Sequence, residues 1–322
     1  MTDRVKRGHY VPQGYLKAFA DPARESQIFV LRREQPDRTF SNPVAKVASR
    51  LGFYDAGPGD NEQVIEHWFS TEVEAALPFL ITRLIEFSRR PWYQRLPPDE
   101  LKQLLAQMAI QFLRTNHVRE TARQRLLEQA LAPGGEAWRL VEEMSIQPGI
   151  SAVEIQEARI HMDGPAHMGM IMNDANINGL INDLKSFTWQ LCTTNLAHPF
   201  VTSDAPVVIV RPPTAPPESP SIPMLSVAVF PLTPTALLRG EKTGRSLKAM
   251  KRSAVYSSSP EWVLNVNRLM FSGPQEQLLG SSREALLSAV PERFRRSCES
   301  AGLRQSGVDS VQTVSTRVPD VQ

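Results

Sequence analysis

The chain has 322 residues, 41% hydrophobic and 22% charged, and its 36 Lys and Arg against 34 Asp and Glu leave a formal net charge of +2. This is the composition of a globular chain with ample material for a core, and it excludes a protein whose whole surface is a basic nucleic-acid footprint. No run approaches the roughly 18 consecutive apolar residues of a membrane span, and the start MTDRVKRG lacks the apolar stretch of a signal peptide.

In chain order, residues 9–32 read as a turn, a short helix over 15–19 and a strand in QIFVLRR, with a second extended piece near 39–47. GPGDNE at 57–62 is a turn, with Asp60 and Asn61 as helix caps. The spacing of Val64, Ile65, Trp68, Phe69, Val73, Ala76, Leu80 and Leu84 predicts a helix to about residue 89, kinked at Pro78. RLPPDELKQLL opens another helix, with acids in its first turn and an apolar stripe of Leu101, Leu104, Leu105, Met108 and Phe112. It is expected to run unbroken to about Leu131, with further helical stretches at 136–145 and 151–185.

At 187 the pattern changes. FTWQLCTTN, FVTSD, PVVIV, MLSVAVFPL and TALLRG are short β-rich segments of an antiparallel sheet, interrupted by a stiff proline-dense loop at 211–223. Helices are expected near 245–257, 260–270 and 282–296. The resulting expectation is an α+β protein, a helical middle packed on a mainly antiparallel β-sheet built from early and late strands. A single domain would cover 1–302, with its helical part at 62–185, its β-rich part at 187–240, and a disordered tail at 303–322.

Several polar residues stand where polar residues need a reason. Gln111, Thr115 and Arg119 lie at i, i+4 and i+8 of the predicted helix and drift into its apolar stripe. A buried arginine demands an acid or a set of carbonyls, or else it points into a cleft suited to phosphate or carboxylate. Glu72 falls on the apolar face of the preceding helix, whereas Glu66 and Glu74 point more to solvent. Glu72 is read as a salt-bridge partner of Arg119, or as a carboxylate of raised pKa for acid–base work or metal binding. His9 precedes a Val-Pro pair that fixes extended backbone, a rigid mount for a general base, a metal ligand or a structural turn. In TSDAPVV, Ser203 and Asp204 either hold a corner as a local turn or present a carboxylate at a sheet rim. No zinc motif, phosphate-binding loop or nucleophile elbow occurs.

HYVPQGYLKAF, Glu66 with Glu72, QFLRTNHVRE, TSDAPV, FPLTP and Asn267 occur in one order. That order resembles the domain-of-unknown-function 4238 family of mostly bacterial proteins. The family's opening HYVP and aromatic-Leu-basic-x-Phe pattern correspond to Tyr15, Leu16, Lys17 and Phe19 here, and its Q-x-x-R-T element to Gln111, Arg114 and Thr115. Its S-D-N-P has Ala205 in the third position in this chain. The resemblance implies a shared fold and a set of positions, and supplies no reaction.

Two functions fit these residues. One is a hydrolase of phosphodiester bonds, nuclease-like and set in bacterial defence or a toxin-like system. In it His9, Glu72 and Asp204 would be catalytic, Tyr10, Gln111, Arg114, Arg119 and Ser203 would bind substrate, and a divalent metal would be compatible. Its partner would be nucleic acid or another phosphate-containing ligand. The other is a non-enzymatic binding or scaffold protein in which the same residues form a buried structural network. Two cysteines, Cys192 and Cys298, without metal-ligand spacing, favour a cytoplasmic location for either.

Overall fold

The computed structural model describes residues 7–24, 26–51, 53–54, 69, 71, 74–89, 98–131, 169, 171, 173–215, 221–243 and 255–294. The fold is α+β. The expectations for Glu66, Glu72, the caps at Asp60 and Asn61, the helix at 136–145 and the tail at 303–322 lie outside the described residues.

The early part forms β1 (Arg7–His9), α1 (Gln13–Lys17), β2 (Gln27–Arg32), β3 (Thr39–Pro43) and β4 (Ser49–Leu51). The helices α2 (Ala76–Ser88), α3 (Pro98–Leu113), α4 (Asn116–Leu131) and α5 (Asp174–Lys185) follow. Strands β5 (Phe187–Thr193), β6 (Thr202–Ser203), β7 (Val208–Val210), β8 (Val227–Thr233), β9 (Ala236–Lys242) and β10 (Val255–Ser257) come next. The described part closes with α6 (Pro260–Ser272), β11 (Gln277–Gly280) and α7 (Arg283–Ala289).

Where one sheet was expected, the described strands divide into three groups. β1 pairs with β4, a five-stranded sheet has the order β10-β5-β9-β8-β7, and a four-stranded sheet has the order β3-β2-β11-β6. All pairings are antiparallel except β10 with β5. The reason is β11, a strand whose short QLLG gives little alternation to read. It lies between β2 and β6 and so draws the early strands away from the β5–β9 ladder. Residues 255–257, expected in a helix, are the parallel strand β10, consistent with the β-branched and aromatic character of Val255 and Tyr256.

Two helical expectations also change. The helix expected at 98–131 stops at Leu113 and restarts at Asn116. Thr115 accounts for the break. Its hydroxyl donates to Phe112 O at 3.0 Å and accepts from Val118 N at 3.4 Å, the second contact capping the new helix. The helix expected to run through Pro78 is instead interrupted by a turn at 74–75, and Pro78 lies in the first turn of α2, where its missing N–H has no intrahelical partner to lose.

Two apolar clusters make the core. One joins α1, the helices α2 and α3, and the inner face of the five-stranded sheet. The other packs α6 and α7 against β2, β11 and the segment leading into β6. Trp189 and Phe230 are fully buried in the first, each contributing roughly 1.5–3 kcal/mol by leaving water. Gly240 is required there, because a Cβ would stand 2.6 Å from the Trp189 ring.

Candidate functional site

The two sequence motifs meet. Antiparallel pairing of β11 with β6 sets Leu278 opposite Ser203, so the chain leaving β6 passes the start of β11. There Asp204 Oδ1 accepts from Glu276 N at 3.1 Å and Gln277 N at 3.2 Å, while Asp204 N donates to Gln277 O. Its other oxygen accepts a long hydrogen bond, 3.5 Å, from the Tyr10 hydroxyl. Asp204 is 3% exposed. Burial pushes its carboxyl up to about 7, further raised by nearby Glu276 and opposed by the backbone donors. Tyr10 is pushed up by burial and then by the charge of Asp204. Ser203 is fully buried, and its hydroxyl accepts from Ala205 N at 3.1 Å in a local turn.

The HYVP segment is gripped by helix α3 and the residues that follow it. Gln111 Nε2 donates to Tyr10 O at 2.8 Å, and Arg114 Nη2 donates to His9 O at 2.5 Å. Two side chains three residues apart therefore hold two successive carbonyls. The other Arg114 nitrogens donate to the Tyr54 hydroxyl at 2.7 Å and to Glu74 at 2.8 Å, and the guanidinium lies 4.0 Å from the centre of the Phe69 ring. Burial works against the charge of Arg114, but Tyr54 and Glu74 reverse this and its pKa is raised overall. Glu74, expected toward solvent, has a side chain only 18% exposed, drawn in by this cation.

His9 contributes mainly through its backbone. Its carbonyl also accepts from the Tyr54 hydroxyl at 2.8 Å, and its ring Nε2 contacts Ala45 O at 3.1 Å. Gly8 permits this approach, since a Cβ there would come within 2.8 Å of the Tyr54 ring. Arg119 donates to Phe53 O at 2.9 Å and lies over the Phe53 ring, which stacks on Tyr10 at 4.8 Å. Thus Tyr10, Gln111, Arg114, Arg119, Ser203 and Asp204 are brought together, with the His9 imidazole turned toward Ala45.

Three fastenings extend the junction. The Tyr15 hydroxyl bonds Thr202 Oγ1 and donates to Pro231 O, both at 2.6 Å, linking α1 to two sheets. Asn267 donates to Pro199 O and accepts from Val201 N, each at 3.0 Å, holding the approach to β6. Ala48, at φ 46°, offers its carbonyl to Tyr10 N, in left-handed backbone that costs roughly 1–2 kcal/mol. Tyr15 and Asn267 were visible as motif positions. Tyr54, Glu74 and the backbone donors of 276–277 carried no such signal. Among the described residues, no group of three or more His, Cys, Asp or Glu is placed to hold a metal ion.

Fold and junction together define an α+β protein in which distant sequence motifs are fastened by buried side-chain-to-backbone bonds. The family model described as "Protein of unknown function (DUF4238)" matches residues 7–284, and the chain belongs to that family. Comparison with curated proteins and with solved structures finds no match. No helix among the described residues is long and apolar enough to cross a membrane.

Proposed function

We propose that the protein is a binding protein, with the HYVP and TSDAP residues serving as its architecture. One observation carries this reading: the polar groups of both motifs are directed onto other parts of the chain. Gln111 and Arg114 grip the Tyr10 and His9 carbonyls, Arg119 bonds Phe53 O, and Asp204 holds the 276–277 backbone. Buried donors and acceptors used in this way gain by satisfying one another, and their removal leaves orphaned groups in the core. The 276–277 segment that Asp204 fixes also lines a cleft of about 600 Å3, within the usual size range for small-ligand sites. The cytoplasmic, bacterial setting is part of the same proposal, and a buried Cys192 whose thiol is pushed up to about 12 by burial suits an unreactive role there.

A second reading, the phosphodiester hydrolase, is favoured by one observation. Asp204 titrates near neutrality, the range suited to a general acid or base, beside a tyrosine hydroxyl. In that reading Glu72 and a divalent metal would complete the chemistry. The test is incubation of the purified chain with single- and double-stranded nucleic acid, with and without magnesium or manganese. The binding-protein reading expects no cleavage above that of Asp204→Asn. Cleavage abolished in Asp204→Asn and His9→Ala, with both variants as stable as the parent, overturns it.

A further inference from the structure

The cleft beside the junction has a chemistry of its own. Residues 32–34, at the end of β2, and 274–277, at the start of β11, line it. Its charged groups differ in how firmly they are held. Arg33 is anchored by donating to Gly273 O at 2.9 Å, and Glu276 by accepting from Asn116 Nδ2 at 2.5 Å. Arg32 and Glu34 form a loose 3.7 Å pair, with side chains 49% and 71% exposed and the Arg32 guanidinium 5.3 Å from the centre of the Phe40 ring, and such an exposed pair is readily opened.

Gln275 supplies a second, independent observation. It is 3% exposed, and its amide nitrogen donates to Phe271 O. Its Oε1 is buried and, among the described residues, receives no donor. A buried acceptor left in this state is uncommon in folded proteins and calls for an explanation, such as a missing ligand donor.

The cleft thus offers two guanidiniums, two carboxylates and one amide oxygen, a balanced set rather than a basic one. A phosphate, with charge of one sign, would meet Glu34 and Glu276 as repulsive neighbours. A molecule with one positive and one negative end meets favourable partners at both. We propose that this cleft binds a small zwitterion of the amino-acid or dipeptide class. Its carboxylate lies on Arg32 and Arg33, where a bidentate fork is available, and its ammonium faces Glu276 and the Gln275 oxygen. Arg32 must release Glu34 to take part, so the exposed pair at the mouth exchanges one carboxylate for another.

This assignment rests on the reading of the chain as a binding protein, and the two fail differently. Nucleic-acid cleavage would sink the wider reading, whereas the ligand class is tested by calorimetric titration of the full chain. The probes are a set of alanyl-X dipeptides, the same peptides N-acetylated or C-amidated, and inorganic phosphate. At least one free dipeptide should bind with Kd below about 1 mM, and blocking either terminus should weaken it by about tenfold or more. Arg32→Gln and Glu276→Gln should weaken the same peptide similarly, with thermal unfolding unchanged in the Arg32 variant. Free and blocked peptides binding alike, phosphate binding in their place, or a folded chain taking up none of the probes would each overturn the proposal.

Discussion

The junction of the two motifs and the cleft beside it share the backbone of residues 276–277, yet they use polar residues in opposite ways. At the junction Arg114 and Asp204 are 1% and 3% exposed and are bonded by neighbouring parts of the chain. In the cleft Arg32 and Glu34 face solvent across a loose pair. On the reading proposed above, residues conspicuous in sequence because they break an apolar pattern serve the fold. The exposed Arg32 and Glu34 sit at an ordinary strand end and break no pattern.

The comparison can be broken most severely at Arg114. Arg114→Met leaves Glu74 without its cation and the His9 carbonyl without one donor, and should lower stability by about 3–5 kcal/mol in urea unfolding. A loss under about 1 kcal/mol would mean that the junction is held by packing alone.

Acidity offers the next largest effect. Asp204 titrates at about 7 when folded, against about 3.9 for an ordinary aspartate. The folded chain therefore binds this proton more tightly than the unfolded chain. The resulting stability is fully present below about pH 4 and is lost as pH rises through 7, a change of roughly 2–4 kcal/mol. Unfolding measured from pH 4 to pH 8 should show that decline in the parent and a flatter profile in Asp204→Asn. Parallel profiles would remove Asp204 as the titrating group.

Smaller effects sharpen the contrast. Tyr15→Phe strips the hydroxyl shared by Thr202 and the Pro231 carbonyl and should cost about 1–3 kcal/mol. Arg32→Gln, on the open side, should stay within about 0.5 kcal/mol of the parent. Its thermal unfolding separates an exposed arginine from the buried Arg114. An Arg32 variant as damaged as the Tyr15 variant would erase the distinction between the two regions.

The fold was legible where periodicity ran long enough to read. The strand at 27–32, the β-rich stretch from 187 and the helix at 260–272 stand where their patterns put them. Short elements were not legible. β1 and β4 have three residues each and β11 has four, too few for alternation to show. The break at Thr115 was hidden because no proline or glycine marks it, and a side-chain cap restarts the helix. At the site, the meeting of Tyr10 with Asp204 could be sought because both motifs set polar residues beside prolines. The Arg114–Glu74 pair escaped because it depends on how α3 lies against the chain before α2, which no local spacing encodes.

Asp204 gives the most direct test of the central claim, that the motif residues are architectural. Urea unfolding of Asp204→Ala and Asp204→Asn should be compared at pH 7. The asparagine keeps an oxygen for the two backbone donors and should remain within about 1 kcal/mol of the parent. The alanine orphans both N–H groups and should lose about 2–4 kcal/mol. An alanine variant as stable as the parent would contradict the account.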